Sequence, residues 1–214
     1  GFKLAQVVFP QRVPSAASLK PGLGPRRARS RARGGPMSGH ALPRLLAGAK
    51  EVCTQKILVA ARAAGLELKL EAPRAGQVGP ELHRADQVVR HTGAILRYVG
   101  RVFEGTDVYG TTFAESAQVD SWLDWGEMEL GPAEPPRLTE AIEVLEKHLD
   151  SRVFLVGDRY TLADASIGCS LYQFQREGLT GSLPRATQRW LSTCTAQPAF
   201  VEVVGAVAAP AAAA

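Results

Sequence analysis

The first 36 residues contain no acidic side chain, although they carry eight Lys or Arg. Removing those eight from the chain's 25 bases leaves 17 against 21 acids in residues 37–214, a net charge of −4. The overall +4 therefore describes a basic tail on a mildly acidic body. That body lacks the folded cationic surface of a nucleic-acid domain, so nucleic acid is expected to engage only the basic extension. Cysteine is scarce: Cys53, Cys169 and Cys194 are an odd number without CxxC spacing. This excludes a disulfide framework and a zinc site and fits a reducing compartment. His40, His83, His91 and His148 show no metal-ligand spacing, so no metal is expected. No apolar run approaches the ~20 residues of a membrane helix.

Residues 1–36 are rich in Pro, Gly and Arg, as in "PGLGPRRARSRARGGP", and cannot bury a core. Met37 opens "MSGHALPRLL" like an initiator. Translated upstream sequence, an organelle transit peptide and an RNA-binding arm are the competing readings of the extension. At the other end, residues 206–214 read as the start of an Ala/Pro linker.

Between these ends the patterning changes once. "RLLAG" is a short apolar strand. "VCTQKILVAARAAG" places Ile57, Ala60, Ala61 and Ala64 at helical spacing, with Gly65 as a stop. "LELKLEA" alternates Leu66, Leu68 and Leu70 with charged neighbours, as a half-buried strand does. Strand, helix and strand in that order predict a parallel crossover. Pro80-Glu81-Leu82 and Gln87-Val88-Val89 are expected to pair across "HRAD", and Thr92 to cap a helix through Tyr98. From Thr112 onward the periodicity is helical. Val119, Trp122, Leu123, Gly126 and Leu130 share one stripe, and Leu138, Ile142, Leu145 and Leu149 share the next. Two capping boxes are expected, at Thr112–Glu115 and at Thr161–Asp164. "LPRATQRWLSTC" is a fourth helix, and Pro198 opens a fifth.

An α/β unit, an all-helical half and "VGDRYTLAD" within it resemble the glutathione S-transferase fold over residues 44–205. The resemblance implies a thioredoxin-like domain at 37–105 and a helical domain at 106–205. It implies that Thr161 and Asp164 serve folding rather than catalysis, and that Pro80 is a cis-proline beside a ligand. "RWLSTCTAQPAFVEVVG" and "AESAQVDSWLDWGEMELGPA" are similar to one branch of that family. The branch comprises the transferase-like domains of the gamma subunit of eukaryotic translation elongation factor 1 and of some aminoacyl-tRNA synthetases, the valyl enzyme especially.

Glutathione chemistry needs an oriented donor that lowers the substrate thiol's pKa. Active members of the family hold Tyr, Ser or Cys after the first strand. Here that turn is Ala49-Lys50-Glu51-Val52, without a hydroxyl, and Cys53 is the nearest nucleophile. The dipole of the first helix would favour its thiolate, but the reading preferred here is a small residue filling a helix contact. Gly79, Pro80, His91 and Thr92 occupy the glutathione-binding positions that the resemblance implies. His91 stands where the family has an acid or glutamine, and cannot meet the ligand's ammonium group as an acid does. The expected function is a non-catalytic interaction module of the translation machinery, with no cofactor unless glutathione binds. It would be cytoplasmic (organellar if the extension is a transit peptide) and would dock translation factors or synthetases through its helical half, with a homodimer also open. The alternatives are a divergent glutathione transferase using Cys53 or a backbone amide, and the appended domain of a tRNA synthetase.

Overall fold

The computed structural model describes residues 42–102, 106–131 and 135–204, all within the unit His40–Ala214. The basic extension 1–36, Met37, Gly205 and the Ala/Pro segment 206–214 lie outside the described residues.

Strand β1 (Arg44–Leu46), helix α1 (Val52–Ala63) and strand β2 (Lys69–Glu71) form the expected crossover, with β1 and β2 parallel. The apolar stripe of α1 is fully covered at Ile57, Ala60 and Ala64. Its end is a left-handed turn at Gly65, φ 72°, with the Leu66 amide donating to the Ala61 carbonyl at 2.8 Å. That turn consumes Leu66, so β2 starts three residues later than the alternation of "LELKLEA" predicts. β2 is also an edge strand, in a sheet ordered β2-β1-β3-β4, and Leu70 is 36% exposed rather than half-buried.

Strands β3 (Glu81–Arg84) and β4 (Gln87–Arg90) make the expected hairpin, but a tighter one. His83 pairs with Val88 and Arg84 with Gln87, leaving Ala85 and Asp86 as the turn, with Ala85 at φ 51°. Helix α2 (Thr92–Val102) passes the predicted end at Tyr98. Thr92 is its first helical residue rather than its cap, because the chain enters through His91 in the left-handed region, φ 68°.

After a 3-10 turn (Asp107–Tyr109) come α3 (Phe113–Trp125), a π-helical continuation (Gly126–Leu130), α4 (Pro135–Leu149), α5 (Leu162–Arg176), α6 (Arg185–Thr195) and α7 (Pro198–Val203). Among the described residues no strand follows β4. Both predicted stripes are buried, and Pro198 holds the first position of α7. At α3 only half of the box forms. The Thr112 hydroxyl accepts from the Glu115 amide at 3.1 Å, while the Glu115 carboxylate reaches one residue further and binds the Thr111 amide and hydroxyl. Arg97 on α2 joins the layers by binding Asp120 and Asp124 of α3, each at 2.6 Å.

The box at α5 is complete, and it is more than a cap. Asp164 is fully buried and accepts four hydrogen bonds. Oδ2 takes the Thr161 amide and hydroxyl, both at 2.9 Å. Oδ1 takes the Leu155 amide at 3.0 Å and the Trp190 indole at 2.8 Å. Burial pushes the carboxyl pKa up against the pull of these donors. One side chain thus joins the loop before α5, the start of α5 and the middle of α6. Helix α6 has a borrowed cap: Glu146 of α4 accepts the Ala186 amide at 3.0 Å, the Thr187 amide at 2.8 Å and the Thr187 hydroxyl at 2.9 Å. Burial raises the Glu146 pKa, but those three donors outweigh it and the net shift is downward.

Two outcomes follow for stability. Asp164→Ala leaves buried donors unpaired at about 1–3 kcal/mol each, well beyond the ~1 kcal/mol of an ordinary cap. Thermal melts should show a drop of about 10 °C or more; a loss under about 3 °C would mean the donors find other partners. Glu146 binds a proton less readily folded than unfolded, so its stabilisation is present above the ordinary glutamate pKa of 4.5 and disappears as pH falls through its lower folded value. Urea titrations should show wild type losing stability more steeply than Glu146→Gln across that acidic window, and equal slopes would refute the borrowed cap.

Candidate functional site

The strand register gathers the candidate residues. Glu71, Leu46, Glu81 and Arg90 form one row across the sheet. This row is the C-terminal end of β1, β2 and β4 and the N-terminal end of β3. The turn into α1, the Gly79–Pro80 pair and the His91–Thr92 pair therefore lie at one end of the sheet.

The Gly79 carbonyl and the Cys53 thiol there already have partners. No described peptide bond is cis, so the expected cis-proline at Pro80 is corrected to trans. The chain turns instead through Gly79, a left-handed residue at φ 73° that a side chain would strain. The Gly79 carbonyl accepts from Gln77 Nε2 at 2.8 Å, and the same nitrogen donates to the Leu46 carbonyl at 2.8 Å. Arg74 donates its amide to Gln77 Oε1 at 3.0 Å, which fixes the side chain that ties this loop to β1. His91 is exposed, whereas Thr92 is buried in the first turn of α2.

Cys53 is the second residue of α1 and half-buried. Its thiol lies 3.3 Å from Glu51 Oε2, placed to donate to it. Burial first, and then the hydrogen bond and charge of Glu51, push its pKa above the ordinary value of 9.0. Burial and an acidic neighbour thus outweigh the helix dipole, which fits a small residue filling a helix contact rather than a thiolate. At neutral pH this is a thiol.

Cys53 opens onto a cleft of about 370 Å³ between α1, the π-helical segment and α5, with Lys56, Glu127, Ser170 and Phe174 on its walls. Lys56 is 4% exposed and its ammonium meets Glu127 Oε1 at 2.9 Å. This ion pair spans the two layers at the wall of the cleft. Sequence reasoning missed Lys56, Glu127 and Gln77. A lysine inside the apolar stretch "TQKILVAA" was the available signal, since such a position demands a partner; nothing local names Glu127, 71 residues away. Among the described residues no three His, Cys, Asp or Glu side chains gather as a metal site.

The helical half matches the family described as "Glutathione S-transferase, C-terminal domain" over residues 129–198. Glutathione transferase F7 from Populus trichocarpa has a TM-score of 0.69 at 19% identity, over 78% of this chain and 100% of that one. The chain has a glutathione S-transferase-like fold, with a small thioredoxin-like α/β layer and a helical C-terminal half.

Its sequence relatives include an elongation factor subunit and a tRNA ligase. Elongation factor 1-gamma from Trypanosoma cruzi is 30% identical over 189 residues, covering 71% of this chain and 46% of that protein. The bifunctional glutamate/proline–tRNA ligase of Mus musculus is 32% identical over 127 residues, covering 57% of this chain and 8% of the ligase. The glutathione S-transferase-like fold of this chain is thus related to elongation factor 1-gamma and to an aminoacyl-tRNA synthetase. The chain spans less than half the length of either relative.

The buried ion pair yields a test of the site's architecture. Glu127→Ala strands the Lys56 ammonium at a cost of about 1–2 kcal/mol, reduced from the ~3–5 kcal/mol of a fully buried pair because the Glu127 side chain is 43% exposed. Adding Lys56→Met removes the orphaned charge, so the double variant should be more stable than Glu127→Ala alone in denaturant titrations. A double variant less stable than the single one would show that Lys56 has other partners.

Proposed function

We propose that this chain is a non-catalytic interaction module of the translation machinery, like elongation factor 1 gamma. In this reading it docks translation factors or aminoacyl-tRNA synthetases through its helical half. The observation that carries the reading is the sequence relationship to two different translation proteins. The geometry at the sheet end supports it. The turn into α1 supplies no hydroxyl, Cys53 is held as a thiol beside Glu51, and the Gly79 carbonyl is occupied by Gln77. A tripeptide substrate would find little there to bind and nothing to activate its thiol. A cytoplasmic location and the absence of any required cofactor belong to the same proposal.

A second reading has its own observation. The match to 8% of a tRNA ligase is what an appended domain of a synthetase would give, and the full protein would then be an enzyme although this segment is not.

The test uses the full chain in two assays. Conjugation of glutathione to 1-chloro-2,4-dinitrobenzene should stay near the uncatalysed rate, and affinity capture from a cell extract should recover translation factors or synthetases. Robust conjugation lost in Cys53→Ala would replace this proposal with a cysteine-dependent transferase. Robust conjugation that survives the substitution would replace it with a transferase using a backbone donor.

A further inference from the structure

The cleft beside Cys53 is walled by polar groups whose bonding is incomplete, and together they describe one kind of ligand. Ser170 is 4% exposed and lies in the stretch of α5 that is buried on every side, yet its side chain lines the cleft. Among the described residues its hydroxyl has no hydrogen-bond partner, not even the Ser166 carbonyl one turn earlier, to which a helical serine commonly turns. Lys56, equally buried, has one acceptor for its three N–H bonds, Glu127 Oε1 at 2.9 Å. Glu127 in turn spends one carboxylate oxygen on Lys56 and leaves Oε2 without a partner among the described residues. Buried polar groups are normally satisfied, so a hydroxyl and an ammonium left short at one cavity call for an explanation. The other polar walls are already spent: Cys53 on Glu51 and Gln173 on Glu177.

Size and charge narrow the occupant. A volume of about 370 Å³ lies at the small end of the ~300–1,000 Å³ of ligand pockets, which suits one ring carrying a polar substituent. Val52 and Phe174 supply an apolar wall for such a ring. The charges of Lys56 and Glu127 cancel. An anion would therefore meet the Glu127 carboxylate, and a cation the Lys56 ammonium, beside an ion pair that is half out of water. A neutral group with an acceptor and a donor side by side offends neither. The oxygen of a carboxamide can accept from Lys56 and Ser170 while its nitrogen donates to Glu127 Oε2. Gly79, Pro80, His91 and Thr92 do not line this cleft, so it is distinct from the glutathione-binding positions that the resemblance implies.

We propose that the cleft between α1, the π-helical segment and α5 binds a small neutral aromatic carboxamide. Lys56 and Ser170 hold its oxygen, Glu127 holds its nitrogen, and Val52 and Phe174 flank its ring. The occupant bridges the α/β layer and the helical half, which makes the cleft a point where a small molecule acts on both. The inference goes beyond the docking reading and does not depend on it.

The probes are benzamide, benzoate and benzamidine, which share one planar shape and carry no charge, a negative charge and a positive charge. Each is titrated to about 10 mM into isotopically labelled full chain at neutral pH. Benzamide should move the Ser170 and Lys56 amide resonances saturably and slow the alkylation of Cys53 by a maleimide. That second readout is specific to the cleft, because Cys169 and Cys194 are buried. Benzoate and benzamidine should bind at least about fivefold more weakly. Ser170→Ala should weaken benzamide about fivefold without lowering the melting temperature. Glu127→Gln leaves the Lys56 charge unbalanced and should reverse the order in favour of benzoate. Absence of a saturable shift, equal binding of the three probes, or unchanged benzamide binding in a folded Ser170→Ala would each overturn the proposal. So would a folded Glu127→Gln that still prefers benzamide to benzoate.

Discussion

The loop before α5, the start of α5 and the middle of α6 are held together by one carboxylate that water does not reach. Isolated in an apolar interior, a charge of this kind costs far more than a single contact returns. Asp164 is tolerated because its two oxygens take the Thr161 amide and hydroxyl, the Leu155 amide and the Trp190 indole. The dependence runs both ways. The fully buried indole needs an acceptor for its one donor, and the loop amide at Leu155 needs a partner out of water. Loop, helix start and the helix behind it are held in one geometry by a group that tolerates little error.

The two halves are joined by ionic contacts with different settings. Arg97 reaches Asp120 and Asp124 in a half-open position, where exchange with water keeps the contribution modest. Lys56 reaches Glu127 with its own charge buried, so losing Glu127 strands a buried ammonium, whereas Glu127 itself is 43% exposed and water can reach it. At the sheet end, Gln77 stitches the loop before β3 to the Leu46 and Gly79 carbonyls. The fold keeps the frame of a glutathione transferase while spending its local hydrogen-bonding groups on itself.

Much of this was legible in the residues, for reasons that can be stated. Helical stripes such as Leu138, Ile142, Leu145 and Leu149 are one-dimensional patterns, and burial follows the pattern. The Thr161–Asp164 box was legible because a cap is a local device of fixed spacing; that Asp164 also receives Trp190 was not, since that contact spans 26 residues. "LELKLEA" misled because alternation predicts a strand without knowing that the helix stop at Gly65 takes Leu66. At Cys53 the helix dipole was legible but its opponents were not, since burial and the Glu51 side chain, which push the thiol's pKa up, belong to the folded chain. Pro80 misled because the resemblance supplied a cis bond where this sequence sets Gly79 to make the turn.

The borrowed cap on α6 has a consequence for the order in which the chain can assemble. A helix capped by its own flanking residue can nucleate as soon as that stretch leaves the ribosome. Here the cap at Ala186 and Thr187 is supplied by Glu146, a separation of 40 and 41 residues, so the first turn of α6 closes only after α4 is in place. Loop closure over that distance must precede the contact that rewards it. Helices α4 and α6 are therefore bound into one cooperative unit, with α5 and its Asp164 enclosed between them in the chain. A chain cut anywhere between Leu149 and Arg185 would lose the complete unit rather than shed a dispensable end.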